Sequence, residues 1–331
     1  MKTCKIVFPH VLQTEERPDN ISSPVQAKVK ITSVLLTPVE YSAYRGSEGL
    51  KYPLVPGRFA AGIVVEAGEN CCSVEKGTRV YLNGVTADKQ GGENETLCVA
   101  GADTEGFMRN FIVTDEENLS PLPPSVSDTE AAFTEYAALC EAVADKIEAD
   151  KGRHIAVIGA TAIGILLCQL LIYHQAVPIL IDSDPALLKD ANRAGVYYTL
   201  EAGEKLHENI SQLTGGRMAY GGVFVTDSKL SPELLFSVTG NNKNVVFAGF
   251  ADPERKISYK EAFRKNLNVY SVNSGYSYTS AAINLLVNKA INVASIDCPP
   301  VAFSDIEAAL ASGAKALDEG KNPTYALLNM M

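Results

Sequence analysis

The chain of 331 residues is long enough for two domains, and its 46% hydrophobic and 21% charged residues are typical of a globular protein. The net charge of −10 argues against a surface for nucleic acid or anionic membrane. Seven scattered cysteines do not form a disulfide framework, and the longest apolar stretch, residues 163–173, is too short to span a bilayer. We therefore expect a cytoplasmic protein with reduced thiols and neither a nucleic-acid nor a membrane partner.

The first part of the chain is predicted to consist of short strands separated by turns. Alternating or continuous apolar residues predict strands at 27–31, 59–68, 77–82 and 107–113. The polar segment 84–106 contains several glycines and is predicted to be a surface loop. This part is therefore expected to be all-β.

The pattern changes after a proline-rich boundary at residues 121–124. Ser127 followed by Glu130 forms a capping box, which predicts a long helix to about residue 147. Helices are then expected from Ala162 and Pro185, and strands at 155–158, 178–181, 223–225, 245–250 and 267–272. Such alternation predicts a parallel sheet covered by helices on both faces. The tail from about residue 291 is expected to contain mixed short elements.

A glycine-containing turn follows the apolar strand at 155–158. Gly159 permits a tight turn, and Gly164 lets the following helix pack closely on the strand. The first N–H groups and the positive dipole end of such a helix suit a pyrophosphate. Thr161 replaces the middle glycine of the usual G-x-G-x-x-G motif. Its side chain either pushes the phosphates outward or donates a hydrogen bond to them.

An acidic residue ends the next predicted strand, because Asp182 lies 23 residues after Gly159. An acid at this place accepts the ribose hydroxyls of NAD and repels the 2′-phosphate of NADP. NAD is therefore the predicted cofactor, and the alternative is a plain βαβ packing unit. The predicted cofactor-binding residues are Gly159, Thr161, Ala162, Ile163, Gly164, Asp182, Ser183, Thr226, Gly249 and Val272.

Several segments together resemble the medium-chain dehydrogenase/reductase superfamily. They are Tyr44-Arg45-Gly46, residues 53–68, residues 74–80, Gly106-Phe107 and the glycine turn. The resemblance covers nearly the whole chain. It implies an α/β protein with a GroES-like catalytic β domain, residues 1–123 and 291–331, and a doubly wound parallel-sheet Rossmann domain, residues 124–290. It also places the active site in the cleft between the domains.

The zinc-binding positions of this family depart from its pattern. Thr37 stands where the catalytic zinc's cysteine is expected, and Arg58-Phe59 stand for the histidine and glutamate of its Gly-His-Glu motif. Glu135 falls where polyol dehydrogenases supply a third ligand. The segment 84–106 contains only Cys98, so the four-cysteine structural zinc site is missing too. Zinc needs three suitable protein ligands, and we predict no metal.

Without zinc, the resemblance leaves five residues as predicted catalytic residues: Glu40, Tyr41, Tyr44, Arg58 and Glu135. Arg58 either stabilises a developing alkoxide or binds an anionic substrate group. Its alternative role is an ion pair with Glu40 or Glu135 that replaces the metal structurally. The tyrosines are general acids or walls for the nicotinamide, and Glu135 is a general base or a salt-bridge partner.

These observations predict a zinc-independent, NAD(H)-dependent oxidoreductase that acts on a small alcohol, ketone or sugar-like substrate. One alternative is a catalytically inactive NAD-binding protein with a regulatory role, because every metal ligand position is altered or incomplete. Another is a zinc-free quinone or enoyl reductase that uses NADPH, against which Asp182 argues. The resemblance also implies a homodimer or homotetramer joined through the edge strand near residues 267–272.

Overall fold

The computed structural model describes residues 2–17, 21, 23–47, 49–88, 96–250 and 255–330. Its strands are β1 (Lys2–Phe8), β2 (Val11–Glu16), β3 (Gln26–Leu36), β4 (Ala60–Ala67), β5 (Arg79–Leu82), β6 (Val85–Asp88), β7 (Thr96–Val99), β8 (Phe111–Asp115), β9 (Leu119–Pro121), β10 (His154–Ile158), β11 (Val177–Asp182), β12 (Tyr198–Glu201), β13 (Gly221–Val225), β14 (Asn244–Ala248), β15 (Asn268–Val272), β16 (Pro300–Ala302) and β17 (Ala326–Asn329). Its α-helices are α1 (Pro38–Arg45), α2 (Asp128–Ala132), α3 (Thr134–Lys146), α4 (Ala162–Tyr173), α5 (Pro185–Arg193), α6 (Leu206–Leu213), α7 (Glu233–Val238), α8 (Lys260–Arg264), α9 (Thr279–Val287) and α10 (Ile306–Asp318).

The described chain divides into two compact units. Met1–Glu135 and Ile296–Met331 form one, which we call the β unit, and Tyr136–Ser295 form the other, which we call the parallel-sheet unit. The sequence-based ranges 1–123 with 291–331 and 124–290 remain predictions. A search of the described helices finds none with the length and apolar character of a membrane span.

The β unit is built around a sheet with the strand order β16-β17-β3-β4-β5-β9, in which β8 also pairs with β3. The pairings among β17, β3, β4, β5 and β9 are antiparallel. Inward-facing residues of β3 alternate with outer ones before its last part becomes fully buried. The predicted strands at 27–31, 59–68 and 77–82 correspond to β3, β4 and β5, although β4 and β5 are shorter than predicted, at Ala60–Ala67 and Arg79–Leu82.

Two details of the β-unit prediction are wrong. The strand expected at 107–113 begins only at Phe111, because Phe107 and Met108 donate backbone hydrogen bonds to Gly57 and Pro56 instead. The segment 84–106 is not simply a loop, since β6 and β7 pair antiparallel from Val85↔Val99 onward. Its residues 89–95 lie outside the described part of the chain.

The parallel-sheet unit contains a sheet with the order β12-β11-β10-β13-β14-β15, and each neighbouring pair in it is parallel. The predicted α/β architecture is thus confirmed. The strand order reverses between β10 and β13, and a crevice at the carboxyl ends of the strands is where such sheets bind ligands. Helices α4, α5, α6 and α7 pack against the strands of this sheet.

The helical predictions need two corrections. The long helix expected after Ser127 is two helices, since α2 ends at Ala132 and α3 begins at Thr134 after Phe133 serves as the C-cap of α2. The Ser127–Glu130 capping box is present as predicted. The tail is not made only of short elements, because α10 has 13 residues. In α10, Gly313 packs against the ring of Tyr41, because a Cβ added to Gly313 would lie 2.3 Å from ring carbons.

Candidate functional site

The glycine turn joins β10 to α4 as expected. Gly159 has φ +111°, a conformation that glycine adopts at little cost, and an added Cβ would lie 2.8 Å from the Cβ of Ser228. An added Cβ on Gly164 would lie 1.9 Å from the carbonyl oxygen of Gly159. The first turn of α4 therefore packs directly on the backbone of the turn, and both glycines are needed for that packing.

Thr161 is the N-cap of α4, with φ −87° and ψ 178°, a backbone conformation that suits a β-branched residue. Its side chain makes no capping hydrogen bond, and its Oγ1 is buried without a hydrogen-bond partner. The N–H groups of Ala162, Ile163 and Gly164 open the helix, where backbone donors have no acceptor within the helix. Replacing the middle glycine thus leaves the turn intact but adds a hydroxyl to it.

Asp182 is the last residue of β11 and is 8% exposed. Its Oδ2 accepts a hydrogen bond from the Ala160 N–H at 2.7 Å, and its Oδ1 accepts one from the Asp184 N–H at 3.0 Å. The carboxylate is thereby held against the glycine turn. Each oxygen keeps a further lone pair, so both ribose hydroxyls of a dinucleotide fit this group. Ser183 beside it is exposed.

The neighbouring strands end at the same edge of the sheet. Thr226 follows β13 and donates its N–H to the Ala248 carbonyl at 2.8 Å. Gly249 follows β14 and donates its N–H to the Val272 carbonyl at 3.1 Å. The structure therefore brings together the predicted residues Thr226, Gly249 and Val272 at the carboxyl edge of adjacent strands. The Thr226 Oγ1 is buried there without a partner.

Asp227 also belongs to this edge, although it is not among the predicted site residues. Burial raises the pKa of its carboxyl to about 6, and the charge of Asp182 adds to that rise. The Thr161 hydroxyl and the Arg255 guanidinium oppose it. Asp227 as a residue is partly accessible, but its Oδ1 atom is buried and has no hydrogen-bond partner. The Thr161 hydroxyl therefore lies near this carboxyl but is not placed to donate a hydrogen bond to it. The position of Asp227 just after a strand could have predicted it as a site residue, whereas no sequence motif indicates Arg255.

A second group of buried polar residues lies in the β unit, around the start of α1. Thr37 is the N-cap, and Glu40 completes a capping box. The Oε2 of Glu40 accepts hydrogen bonds from the Thr37 N–H at 2.9 Å and the Thr37 hydroxyl at 2.6 Å. Its Oε1 accepts one from the Arg58 N–H at 3.2 Å. Burial raises the pKa of Glu40, and these hydrogen bonds oppose the rise.

Arg58 and Glu135 lie in the same region, where they are 4% and 2% exposed. Both act on Tyr81, which is fully buried: burial raises its pKa, Glu135 raises the pKa further, and Arg58 lowers it. The Gly84 backbone lies near enough to the Tyr81 hydroxyl to lower its pKa. It is not placed to form a hydrogen bond with that hydroxyl, which has no hydrogen-bond partner. Tyr81 is not among the predicted site residues. Its place on the short strand β5 is the sequence signal from which its inward position could have been predicted.

The two predicted tyrosines of α1 are packed inside the β unit, 2% and 3% exposed. The Tyr41 hydroxyl donates to the Thr324 carbonyl at 2.9 Å, and the Tyr44 hydroxyl donates to the His10 carbonyl at 3.1 Å. Burial raises the pKa of both phenols. Their hydroxyl protons are thus engaged by backbone acceptors, and the general-acid role remains a prediction.

The residues around Thr37 do not fit a zinc ion. Thr37 and Arg58 bring a hydroxyl and a cation where zinc needs a thiolate and an imidazole. The Glu40 carboxylate already accepts three hydrogen bonds, from the Thr37 N–H, the Thr37 hydroxyl and the Arg58 N–H. Within residues 2–330, apart from the gaps named above, no three His, Cys, Asp or Glu side chains lie together as a metal site would require.

Known proteins resemble this chain in sequence and in structure. Residues 23–124 match the alcohol dehydrogenase GroES-like domain. Sorbitol dehydrogenase of Halalkalibacterium halodurans is 25% identical over 300 residues, which cover 85% of this chain and 86% of that protein. Such a relative supports the prediction of an oxidoreductase.

Two solved structures share the fold. One is an alcohol dehydrogenase from Escherichia coli CFT073 complexed with NADH, with a TM-score of 0.85, 19% identity and 99% of each chain covered. The other, a protein named as a zinc-binding dehydrogenase from Sinorhizobium meliloti 1021 and bound to NADP, has a TM-score of 0.85, 16% identity and coverages of 99% and 98%. These structures show the fold that the chain shares, and the matched GroES-like domain and the relative named sorbitol dehydrogenase support the resemblance to the medium-chain dehydrogenase/reductase superfamily.

Proposed function

We propose that the protein is a zinc-independent, NAD(H)-dependent oxidoreductase that acts on a small alcohol, ketone or sugar-like substrate. The observation that carries the cofactor choice is the Asp182 carboxylate, held at the end of β11 by the N–H groups of Ala160 and Asp184. A carboxylate fixed there accepts ribose hydroxyls and repels a 2′-phosphate. The relative named sorbitol dehydrogenase supports a polyol-like substrate.

The parallel-sheet unit offers the groups that would hold this cofactor. Gly159 and Gly164 bring the turn and the start of α4 together, and the N–H groups of that helix start suit the diphosphate. Asp182 would bind the adenosine ribose. When bound, the nicotinamide supplies the hydride acceptor or donor. The chain must supply orientation and proton handling.

The β unit would handle charge without a metal. When hydride leaves an alcohol carbon, the hydroxyl proton must leave too, and a fixed positive charge stabilises the developing alkoxide. Arg58 provides such a charge but cannot accept a proton at neutral pH. Glu135, next to Tyr81 in the same buried group, is the proposed proton acceptor. Because Arg58 and Glu135 are 4% and 2% exposed, neither is proposed to touch the substrate: the contribution of Arg58 is electrostatic, and the proton passes to Glu135 through a relay.

A second candidate is an NAD(H)-binding protein without catalysis. It is favoured by the hydrogen bonds of Glu40, Tyr41 and Tyr44, whose polar atoms are all engaged inside the β unit. The two candidates share the cofactor site and differ in turnover. Incubation with NAD and a panel of alcohols, polyols and sugar phosphates separates them, since reduced cofactor forms only if catalysis is retained.

The cofactor proposal is tested by fluorescence titration of the full-length protein with NADH and NADPH. The wild type is expected to bind NADH more tightly. Asp182→Asn removes the negative charge and should reduce the ratio of the Kd for NADPH to the Kd for NADH by about tenfold. Asp190→Asn is the matched control, because Asp190 is an exposed residue of α5 paired with Arg193. Tighter binding of NADPH by the wild type would contradict the proposal.

The absence of a metal is tested by elemental analysis after incubation with zinc and desalting. We expect well under one zinc per wild-type chain, because Thr37 and Arg58 are not zinc ligands. The variant Thr37→Cys/Arg58→His offers a thiolate and an imidazole beside Glu135 and serves as the positive control. About one zinc per wild-type chain would overturn the metal-free mechanism.

A homodimer or homotetramer joined through β15 is also proposed. This strand ends the parallel sheet, and its Val269 and Tyr270 are 44% and 38% exposed. Exposed apolar residues on an edge strand are a template for pairing with another copy. Light scattering on the wild type and on Tyr270→Lys should show a dimer or tetramer that the substitution weakens. A monomeric wild type would refute this arrangement.

A further inference from the structure

Three polar atoms are buried without hydrogen-bond partners at one edge of the parallel-sheet unit. They are Thr161 Oγ1, Thr226 Oγ1 and Asp227 Oδ1. They follow β10 and β13, the two strands between which the strand order reverses. Buried polar atoms in folded proteins are nearly always paired. A group of three at a ligand-binding edge indicates that a ligand completes their hydrogen bonding.

Charged groups reach Asp227 from two other elements. Asp182 acts on it from the end of β11, and Arg255 acts on it from the segment that follows β14. The guanidinium of Arg255 donates hydrogen bonds to the carbonyls of Ser228 at 2.6 Å and Leu230 at 3.1 Å. The hydroxyl of Thr161, at the N-cap of α4, lies near Asp227 and lowers its pKa without being placed to bond it. Two carboxyl groups therefore stand beside a helix start that suits a diphosphate.

Resting on the proposed NAD(H) binding, we infer that Asp227 takes up one proton from solvent when the dinucleotide binds. An ionised Asp227 repels the two negative charges that a diphosphate brings to the start of α4. A protonated Asp227 has no charge and gains an O–H donor, which an acceptor oxygen of the ligand can use. No bond is made or broken other than the O–H bond of the carboxyl.

The direction of the pH dependence follows from this proton uptake. The free carboxyl has a pKa of about 6, so it is mostly ionised above that pH. Dinucleotide binding favours the protonated form and raises the pKa in the complex. Affinity is then highest below about pH 6 and falls by up to about tenfold for each pH unit above it, until the pKa of the complex is reached.

The test is calorimetric and needs no turnover. NADH is titrated into the full-length protein at pH 7 in phosphate and in Tris, whose different ionisation enthalpies report proton uptake. We expect close to one proton per NADH, and a Kd that rises about tenfold or more from pH 6 to pH 8. Asp227→Asn should abolish both effects and bind NADH more tightly than the wild type at pH 8. Asp190→Asn, at an exposed position of α5, should behave like the wild type.

The possible failures point to different conclusions. Wild-type binding of NADH with no proton uptake and a constant Kd overturns the inference and leaves the proposed function intact. Proton uptake that persists in Asp227→Asn assigns it to another group, such as a histidine, and also overturns the inference. No binding of NADH or NADPH by the wild type or by Asp227→Asn at any of these pH values overturns both. If Asp227→Asn does not fold, the wild-type comparison of buffers still decides whether a proton is taken up.

Discussion

Two carboxyl groups, the buried Glu40 in the β unit and the partly accessible Asp227 in the parallel-sheet unit, differ in their hydrogen bonding. Burial raises the pKa of both. Glu40 accepts three hydrogen bonds from Thr37 and Arg58, so its oxygens are satisfied by the protein itself. Asp227 keeps one oxygen without any hydrogen bond. The first arrangement is complete without a ligand, and the second is not.

This difference separates a polar group that the protein satisfies by itself from one that it leaves incomplete. Around Thr37, hydrogen bonds satisfy the Glu40 carboxylate, so this group stabilises the β unit whether or not the protein is catalytic. At the carboxyl edge of the parallel sheet, Thr161 Oγ1, Thr226 Oγ1 and Asp227 Oδ1 are buried without hydrogen bonds, which lowers the stability of the protein. A ligand that bonds these atoms would offset that loss. Three substitutions test this contrast, each with a control in the same unit.

The largest effect is expected from Gly164→Ala. The added Cβ would lie 1.9 Å from the Gly159 carbonyl oxygen, which is backbone and cannot move without opening the turn. We expect a loss of about 3 kcal/mol in the free energy of unfolding, together with undetectable NADH binding. Denaturant unfolding and fluorescence titration measure the two effects.

Gly203→Ala is the control for this substitution, because nothing lies within 4 Å of an added Cβ there. It should change stability by no more than about 0.5 kcal/mol. Equal behaviour of the two variants would mean that the turn is not the rigid support that its contacts indicate.

An intermediate effect is expected from Glu40→Gln. The amide nitrogen cannot accept hydrogen bonds, so at least one of the donors on Thr37 or Arg58 is left buried and unpaired. The expected destabilisation is about 2 kcal/mol by denaturant unfolding. Glu130→Gln is the control, since Glu130 makes the same capping contacts to Ser127 on an exposed helix start. Its cost should be about 0.5 kcal/mol, and a larger cost than that of Glu40→Gln would refute the structural role of the buried group.

The smallest effect on stability is expected from Thr226→Val. Removing a buried hydroxyl that has no partner should leave the free energy of unfolding unchanged or raise it by up to about 1 kcal/mol. The control is Thr239→Val, which loses the hydrogen bond from Thr239 Oγ1 to the Leu235 carbonyl at 2.7 Å and should cost about 1 kcal/mol. If the substitution at Thr226 costs more than that at Thr239, the hydroxyl already has a role in the free protein.

The parallel-sheet unit could be predicted in detail because its signals are local. The apolar run of β10, the glycines of the turn and the acid at the end of β11 follow one another within 30 residues. Each reports a backbone requirement that few other residues meet. The strand β12 was missed, since it has only four residues and is partly exposed.

The surroundings of the charged groups could not be predicted from the sequence. Arg255 reaches Asp227 from a different strand connection, and Tyr81 meets Arg58 and Glu135 from separate segments. Such contacts depend on the packed arrangement of distant segments and have no sequence period. The capping box of Thr37 and Glu40 is an exception, because its spacing is local and was available to predict α1.

The pairing of β17 with β3 has a consequence for biosynthesis. Leu36 lies opposite Ala326, so the last part of β3 finds its β17 partner only when residues 326–329 have been made. The whole parallel-sheet unit lies between these two strands in the chain. During translation, that unit can therefore complete its folding first, while the nascent β unit exposes an unpaired strand edge. Ribosome-bound chains that end before Ala326 therefore leave this edge of β3 open to pairing with other chains.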